Sequence, residues 1–478
     1  MSKKNYVLDT NILISNPYSL FGFEDNNVYI TTVTMQELDS KKTAPGEVGW
    51  GAREAIRILE ECRTTGDLST SGISLKKVSE KLPTASKQYI PADISSKLYI
   101  LDGMESIYEV LPKTFKDSPD NQIIARTVKF KLYKESQGKE KVILVTNDAS
   151  MRINASLVKL EAQEYKNDSI KDDSHYTGMT ELYVPAEAIN KIYLDKTLNL
   201  SDYMPAEDIL NLYENEFLIM KSSSNPDNTA LGIYNKALNI ASLITTKKVY
   251  GVTPKNAAQV FALYALTAPA SEIPLVILKG AAGSAKTFLS LAAGLDSIDI
   301  NGRGNRSLYN KVLITRNNVT SDDDFGYLPG DIDEKMTPLL APFYDNLESL
   351  VRGSSDESNE QVQMQINDFF DSGMIKVCPL AYMRGRSITH SYLIVDEAQN
   401  STRLQMRDII TRAGEGTKVV ICGDPKQIDN IRLDRYNNGL VFAADKMKDS
   451  PLCTQITFGE HESVRSLLAS EALRRLEI

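Results

Sequence analysis

Histidine is scarce in this chain, with His175, His390 and His461 far apart among 478 residues. That excludes a histidine-built metal centre, so any divalent ion has to be held by carboxylates, which favours Mg2+ or Mn2+ over Zn2+. Cysteine is nearly as rare. Cys62, Cys378, Cys422 and Cys453 are scattered with no CxxC spacing, so they read as reduced, mostly buried thiols of a cytoplasmic protein. No apolar run approaches the roughly 20 residues that cross a bilayer. The opening Met1-Ser2-Lys3-Lys4-Asn5 runs straight into strand-like Tyr6-Val7-Leu8, without the apolar core of a signal peptide. The expectation is a cytoplasmic protein with no membrane partner. Excess basic charge is missing too. Lysine and arginine number 54 against 63 acidic residues, which argues against a general polyanion binder while leaving room for a local cationic stripe.

The chain is long for a single hydrophobic core, which predicts two or three domains. From residue 5 to about 160, strand-like Tyr6–Leu8, Val28–Thr32 and Val142–Thr146 alternate with the helical stretches Gly51–Arg63 and Asn121–Tyr133. In those stretches apolar residues recur three and four apart, so residues 1–162 read as a small α/β domain on a parallel sheet. Residues 163–250 carry polar punctuation at Lys166-Asn167-Asp168-Ser169 and from Ser222 to Asn228, with a β-like piece at Glu216–Met220. They read as a connector holding a small β-rich module. Residues 251–478 contain Pro274–Leu278, Lys311–Ile314, Tyr392–Val395 and Lys418–Ile421, runs typical of strands buried on both faces.

The first of those runs leads into Gly280-Ala281-Ala282-Gly283-Ser284-Ala285-Lys286-Thr287 and then an apolar helix, Phe288–Leu295. Strand, glycine loop, Lys-Thr and helix together form a phosphate-binding P-loop. The glycines turn successive N–H groups into one concavity, and the helix N-terminus adds its dipole. Lys286 neutralises the β/γ oxygens and the Thr287 hydroxyl is a ligand for Mg2+. Ala285 departs from the motif, which has glycine there. Its methyl is expected to crowd the phosphate or the neighbouring strand. On that view Ala285→Gly should bind Mg-ATP more tightly yet melt earlier when empty, through glycine's entropy at a helix start.

Asp396 and Glu397 end the run Leu393-Ile394-Val395. Adjacent carboxylates at the end of an apolar strand have little structural reason to be there, since burying unpaired charge is costly. Asp396 is read as holding Mg2+ through water and Glu397 as orienting and activating the attacking water. Further on, Gly423-Asp424-Pro425-Lys426-Gln427 ends another strand, with Gln427 set to sense the γ-phosphate, in an arrangement that resembles a motif of superfamily-one helicases. Carboxylates that suit water as the attacking group count against a kinase.

Three stretches, Phe325–Asp331, Pro379–Arg386 and Asp396-Glu397-Ala398-Gln399-Asn400, are similar to the PhoH family of ATPases, in the family's order. The resemblance covers about residue 251 to the end. It implies a RecA-like core that binds ATP, often in hexameric homo-oligomeric rings. It also implies that Gln259, after Pro254-Lys255-Asn256, reads adenine, where a helical glutamine would otherwise simply be solvated. Arg465 matches a late arginine of the family, its plain alternative being a surface salt bridge. Arg384 and Arg386 suit either nucleic-acid phosphate or nucleotide.

In the N-terminal domain four carboxylates stand out. Asp9 and Asp148 follow short apolar strands, and Glu37 and Asp120 lie within or at the start of helical patterns. Any one of them alone is explained as a helix N-cap. Together, with Thr10-Asn11 beside the first, they resemble the acidic set of PIN-domain nucleases. Four clustered carboxylates need divalent metal or raised pKa values, because a pair about 4 Å apart repels by roughly 4 kcal/mol at an effective dielectric of 20. One or two Mg2+ or Mn2+ ions would supply the hydroxide nucleophile and stabilise the leaving oxygen. The domain order resembles fused PIN–PhoH proteins, which implies ATP-dependent unwinding coupled to cleavage of RNA, single-stranded or as a tailed duplex. The alternative is an ATP-driven RNA remodeller whose PIN-like domain binds without cutting.

Overall fold

Short apolar strands separated by helices fold here, twice, into a mainly parallel sheet covered on both faces. The structure is a computed structural model that describes residues 3–44, 46–66, 71–83, 86, 90–91, 94–138, 141–165, 176–281, 283–298, 308–316, 332–354, 358–378, 387–430, 433–435 and 437–459. The chain divides into two compact units, Met1–Ser169 and Ile170–Ile478.

In the first unit the strands are β1 (Asn5–Leu8), β2 (Asn27–Thr31), β3 (Ile73–Ser74), β4 (Lys97–Leu101), β5 (Val142–Val145) and β6 (Ala162–Gln163). They lie in the order β3-β4-β2-β1-β5-β6, and only the β3–β4 pair is antiparallel. Successive side chains point to opposite faces. Leu8, Val28, Ile30 and Val145 meet Ala52, Ala55, Ile58 and Leu59 of the helix Gly46–Thr65, while Leu144 on the other face meets Ile123, Ile124 and Val128 of the helix Pro119–Ser136. The result is three layers, with Asp9 and Asp148 just past the carboxyl ends of the adjacent strands β1 and β5.

The second unit opens with a five-stranded sheet of β7 (Met179–Val184), β8 (Thr197–Asn199), β9 (Phe217–Ser222), β10 (Thr229–Asn235) and β11 (Ile240–Leu243), ordered β7-β9-β10-β11-β8. One face packs Leu218, Met220, Ala230 and Tyr234 against Ile189 and Ile192 of the helix Ala186–Asp195. The other shares a core with the motor region, where Phe217 stacks on Phe261 with ring centroids 4.6 Å apart.

The larger sheet comprises β12 (Leu275–Gly280), β13 (Lys311–Arg316), β14 (Ile375–Val377), β15 (Ser391–Asp396), β16 (Lys418–Gly423) and β17 (Cys453–Phe458). All its pairs are parallel, in the order β14-β13-β15-β16-β12-β17. Val276, Leu278, Ile394 and Val420 enter one core, and Leu275, Ile277, Leu393, Val395 and Val419 enter the core on the opposite face. Burial on both faces is why these strands read as unbroken apolar runs. The edge strand β17 is covered by the small module. The Thr457 N–H donates to the Thr177 carbonyl at 2.8 Å, and the Asn215 amide donates to the carbonyls of Pro451 and Cys453. Among the described residues no helix is long and apolar enough to cross a membrane.

Candidate functional site

The carboxyl ends of β12, β16, β15 and β13 lie side by side, in the registers Lys279↔Gly423, Val395↔Ile421 and Arg316↔Asp396. In open parallel sheets this edge is where ligands bind. Gly280 is required there, because its φ is 149° and a Cβ would stand 2.8 Å from Phe458 Cβ. Gly283 also has positive φ, at 77°. Lys286 begins the helix Lys286–Ser297, and its buried ammonium donates to the carbonyls of Gly280 at 2.7 Å and Ala281 at 3.0 Å and to Ser284 Oγ at 3.2 Å. Desolvation lowers the Lys286 pKa, opposed by the nearby Cys422, Asp424, Asp396 and Glu397.

At Ala285 the backbone adds a feature that the methyl alone does not suggest. The residue adopts the left-handed region, φ 63° and ψ 16°, as the N-cap of that helix. The peculiarity is therefore in the backbone, where a Cβ costs roughly 1–2 kcal/mol and glycine would cost none. Ala285→Gly should stabilise the empty protein, the opposite of the effect expected from helix-start entropy alone.

Thr287 Oγ1 donates to Asp396 Oδ1 at 2.9 Å. Asp396 is only 7% exposed. Its pKa is raised, first by desolvation and then by Glu397, with the Thr287 hydrogen bond acting against both. A hydroxyl and a buried carboxylate side by side are the oxygen donors that a hard divalent cation accepts, so these residues fit Mg2+. Glu397 follows with φ 50°. Its Oε1 lies 3.3 Å from Arg316 Nη2, and its Oε2 accepts from Gln399 Nε2 at 2.5 Å. Gln399 also donates to the Gln427 carbonyl at 2.8 Å and accepts from the Asp424 N–H at 3.0 Å. Asn400 exchanges hydrogen bonds with Asp429 in the same loop. The Gln427 side chain is exposed, while its N–H turns back to Asp424 O at 3.1 Å.

Gln259 is buried at 4% exposure rather than solvated, and its Oε1 accepts from the Lys255 N–H at 2.9 Å across the start of the helix Ala257–Thr267. Ala282, Arg384, Arg386 and Arg465 lie outside the described residues, as do Phe325–Asp331. No role for Arg316, Gln399 or Asn400 follows from the sequence alone. The last two stand inside the Asp-Glu-Ala-Gln-Asn run itself, which was the available signal.

In the first unit the four carboxylates differ in what they do. Asp9 is 1% exposed and makes no helix-capping hydrogen bond. Its Oδ2 accepts from Thr146 Oγ1 at 2.9 Å, while Oδ1 is buried with no hydrogen-bond partner. Burial, with Asp120 and Glu37 adding to it, pushes its pKa up to about 6 against the hydrogen bond from Thr146. Glu37 Oε2 accepts from Thr10 Oγ1 at 2.6 Å. Asp120 is exposed at the rim, and its pKa is raised by desolvation and by the charges of Glu37 and Asp148. Asp148 does serve as an N-cap, accepting from the Met151 N–H at 3.0 Å. Thr146, whose role the sequence did not suggest, joins the two strand ends by also accepting from the Asp148 N–H at 3.1 Å. Among the described residues no group of three or more His, Cys, Asp or Glu side chains is gathered to hold a metal ion. The orphaned Asp9 Oδ1, in a field of like charge, nonetheless fits a cation as its missing partner.

Two family models match the chain, one described as PhoH-like protein over residues 251–477 and one as PIN domain over residues 6–166. Protein PhoH2 of Bacillus subtilis is 33% identical over 472 residues, 98% of this chain and 99% of that protein. Protein PhoH2 of Mycolicibacterium smegmatis is 30% identical over 479 residues, 99% of this chain and 97% of that protein. Protein PhoH of Escherichia coli K12 is 32% identical over 225 residues, 46% of this chain and 57% of that protein.

Proposed function

The chain belongs to the PhoH2 family, in which a PIN domain precedes a PhoH-like domain, and from that membership and the two sites we propose an ATP-driven RNA helicase fused to a metal-dependent endoribonuclease. The observation that carries the motor half is the set of residues at one sheet edge, with Thr287 on Asp396 and Gln399 linking Glu397 to the loop from Asp424 to Gln427. Lys286 and the loop N–H groups hold the β- and γ-phosphates, and Thr287 and Asp396 hold Mg2+. Bound there, the ion neutralises phosphate oxygens and supports the charge that develops on them. Glu397 accepts a proton from water as the water oxygen bonds the γ-phosphorus and the bond to the bridging oxygen breaks, releasing ADP and phosphate. By likeness to the family, Gln427 is assigned to sensing the γ-phosphate, Gln259 to reading adenine and Arg465 to a neighbour's nucleotide in a hexameric ring.

In the nuclease half, Asp9 offers Oδ1 to Mg2+ or Mn2+, and Glu37, Asp120 and Asp148 complete the ligand set. An ion held by these carboxylates would lower the pKa of an attacking water and offset the charge that develops on the leaving oxygen of a phosphodiester. The cap made by Asp148 supports a second reading, a PIN-like domain that binds RNA without cutting. Phosphate release and RNA cleavage, each measured with and without single-stranded RNA and Mn2+, test both. The proposal expects RNA-stimulated phosphate release that Lys286→Ala abolishes, and Mn2+-dependent cleavage that survives it. Wild-type phosphate release in Lys286→Ala would overturn the motor assignment. Absence of cleavage with intact RNA binding would favour the second reading.

A further inference from the structure

Resting on the ATPase reading, we propose that Gln399 is a positioning residue that ties the Glu397 carboxylate to the loop carrying Gln427, so that water activation depends on how that loop sits. Gln399 has no exposed surface, yet its amide is fully used. One Nε2 proton goes to Glu397 Oε2 and the other to the Gln427 carbonyl, and Oε1 takes the Asp424 N–H. The fit is close, because a Cβ at Gly423 would stand 2.5 Å from Oε1. A glutamine kept only for packing needs backbone partners. This one spends a donor on a partly exposed carboxylate whose own residue is held in the left-handed region, φ 50°. Strain of that kind persists where the surroundings over-determine it. With Arg316 at Oε1, each Glu397 oxygen has one fixed partner and keeps a lone pair for water. Movement of the Asp424–Gln427 segment toward or away from the γ-phosphate therefore moves the group that accepts the water proton.

The test is a double-mutant cycle in the full-length chain, with ATP hydrolysis and binding of a fluorescent ADP analogue measured together. Gln399→Ala and the isosteric Gln399→Glu should each lower kcat about tenfold or more. KM for ATP and ADP-analogue affinity should stay within about twofold of wild type, since Gln399's hydrogen bonds go to Glu397, Asp424 and Gln427 rather than to Lys286 or Thr287, and ADP lacks the γ-phosphate assigned to Gln427. In the Glu397→Gln background, Gln399→Ala should cost less than about a further twofold, because the group it positions is already gone. Equal losses in both backgrounds, or a kcat within twofold of wild type in a variant that still binds ADP, would overturn the proposal. If neither Gln399 variant folds, Gly423→Ala, which crowds the same amide, must show the same kcat loss with retained ADP binding or the proposal falls. A wild-type chain that hydrolyses no ATP would remove the ATPase reading itself, and this inference with it. Loss of kcat in Glu397→Gln alone would keep the ATPase reading and sink only the role of Gln399.

Discussion

At the scale of single residues, Ala285 is held in the left-handed region at φ 63°, a conformation that strains a Cβ and that glycine adopts freely. That angle predicts that Ala285→Gly raises the stability of the nucleotide-free protein by about 1 kcal/mol, read as a higher denaturation midpoint; a lower midpoint would mean that glycine's chain entropy outweighs the relief. Asp9, Lys286, Thr287, Asp396 and Glu397 are legible in the sequence by residue type and position after a strand, whereas nothing in the letter Ala at 285 announces that angle. The second case is Asp9, whose carboxyl is pushed by burial up to about 6 from the ordinary aspartate value of 3.8. The folded state therefore holds the extra proton, and its contribution to stability is complete below about pH 4 and lost as pH rises through 6. In metal-free buffer Asp9→Asn should gain stability at pH 7.5, by up to about 3 kcal/mol, and gain little at pH 4. Mn2+ should then stabilise wild type and not the variant. An equal effect of the substitution at both pH values in chemical denaturation would remove the electrostatic argument.

Elements were legible where burial imposes a repeating pattern. The centres of strands β12, β13, β15 and β16 are unbroken apolar runs because both faces are covered, and the apolar runs in the sequence fall within two residues of the observed limits at each end. Of the small module only the β9 stretch was singled out, because its faces are divided between its own helix and the motor's core, which breaks simple alternation. Its seat against β17 depends on contacts distant in sequence, which no local pattern encodes. Gly178 marks that seat, with φ 80° and a position where a Cβ would fall 1.8 Å from the Gln455 carbonyl oxygen. Gly178→Ala should cost more than about 2 kcal/mol in the unit Ile170–Ile478 and lower its melting temperature, leaving that of Met1–Ser169 unchanged. Calorimetry is the measurement, and an unshifted transition of Ile170–Ile478 would mean that the module's seat contributes nothing to the motor's stability.

At the scale of the whole molecule, two units with two chemistries predict that each can be silenced alone. Lys286→Ala should stop ATP hydrolysis and leave cutting of unstructured RNA intact, and Asp9→Asn should do the reverse. If the motor works as a ring with Arg465 reaching a neighbour, inactive Lys286→Ala and inactive Arg465→Ala subunits mixed together should regain part of the hydrolysis that each lacks. A mixture as inactive as its parts would count against a shared site. The central claim is that ATP hydrolysis by one unit feeds RNA to the other, and a single assay bears on it most directly. Cleavage of a 5′-tailed RNA duplex with Mg2+ and Mn2+ present is followed with ATP, with a non-hydrolysable analogue, and with no nucleotide. The account predicts cuts within the duplex region only when ATP is hydrolysed, and cuts in the tail under all three conditions. Duplex cleavage that is the same with and without ATP would contradict it.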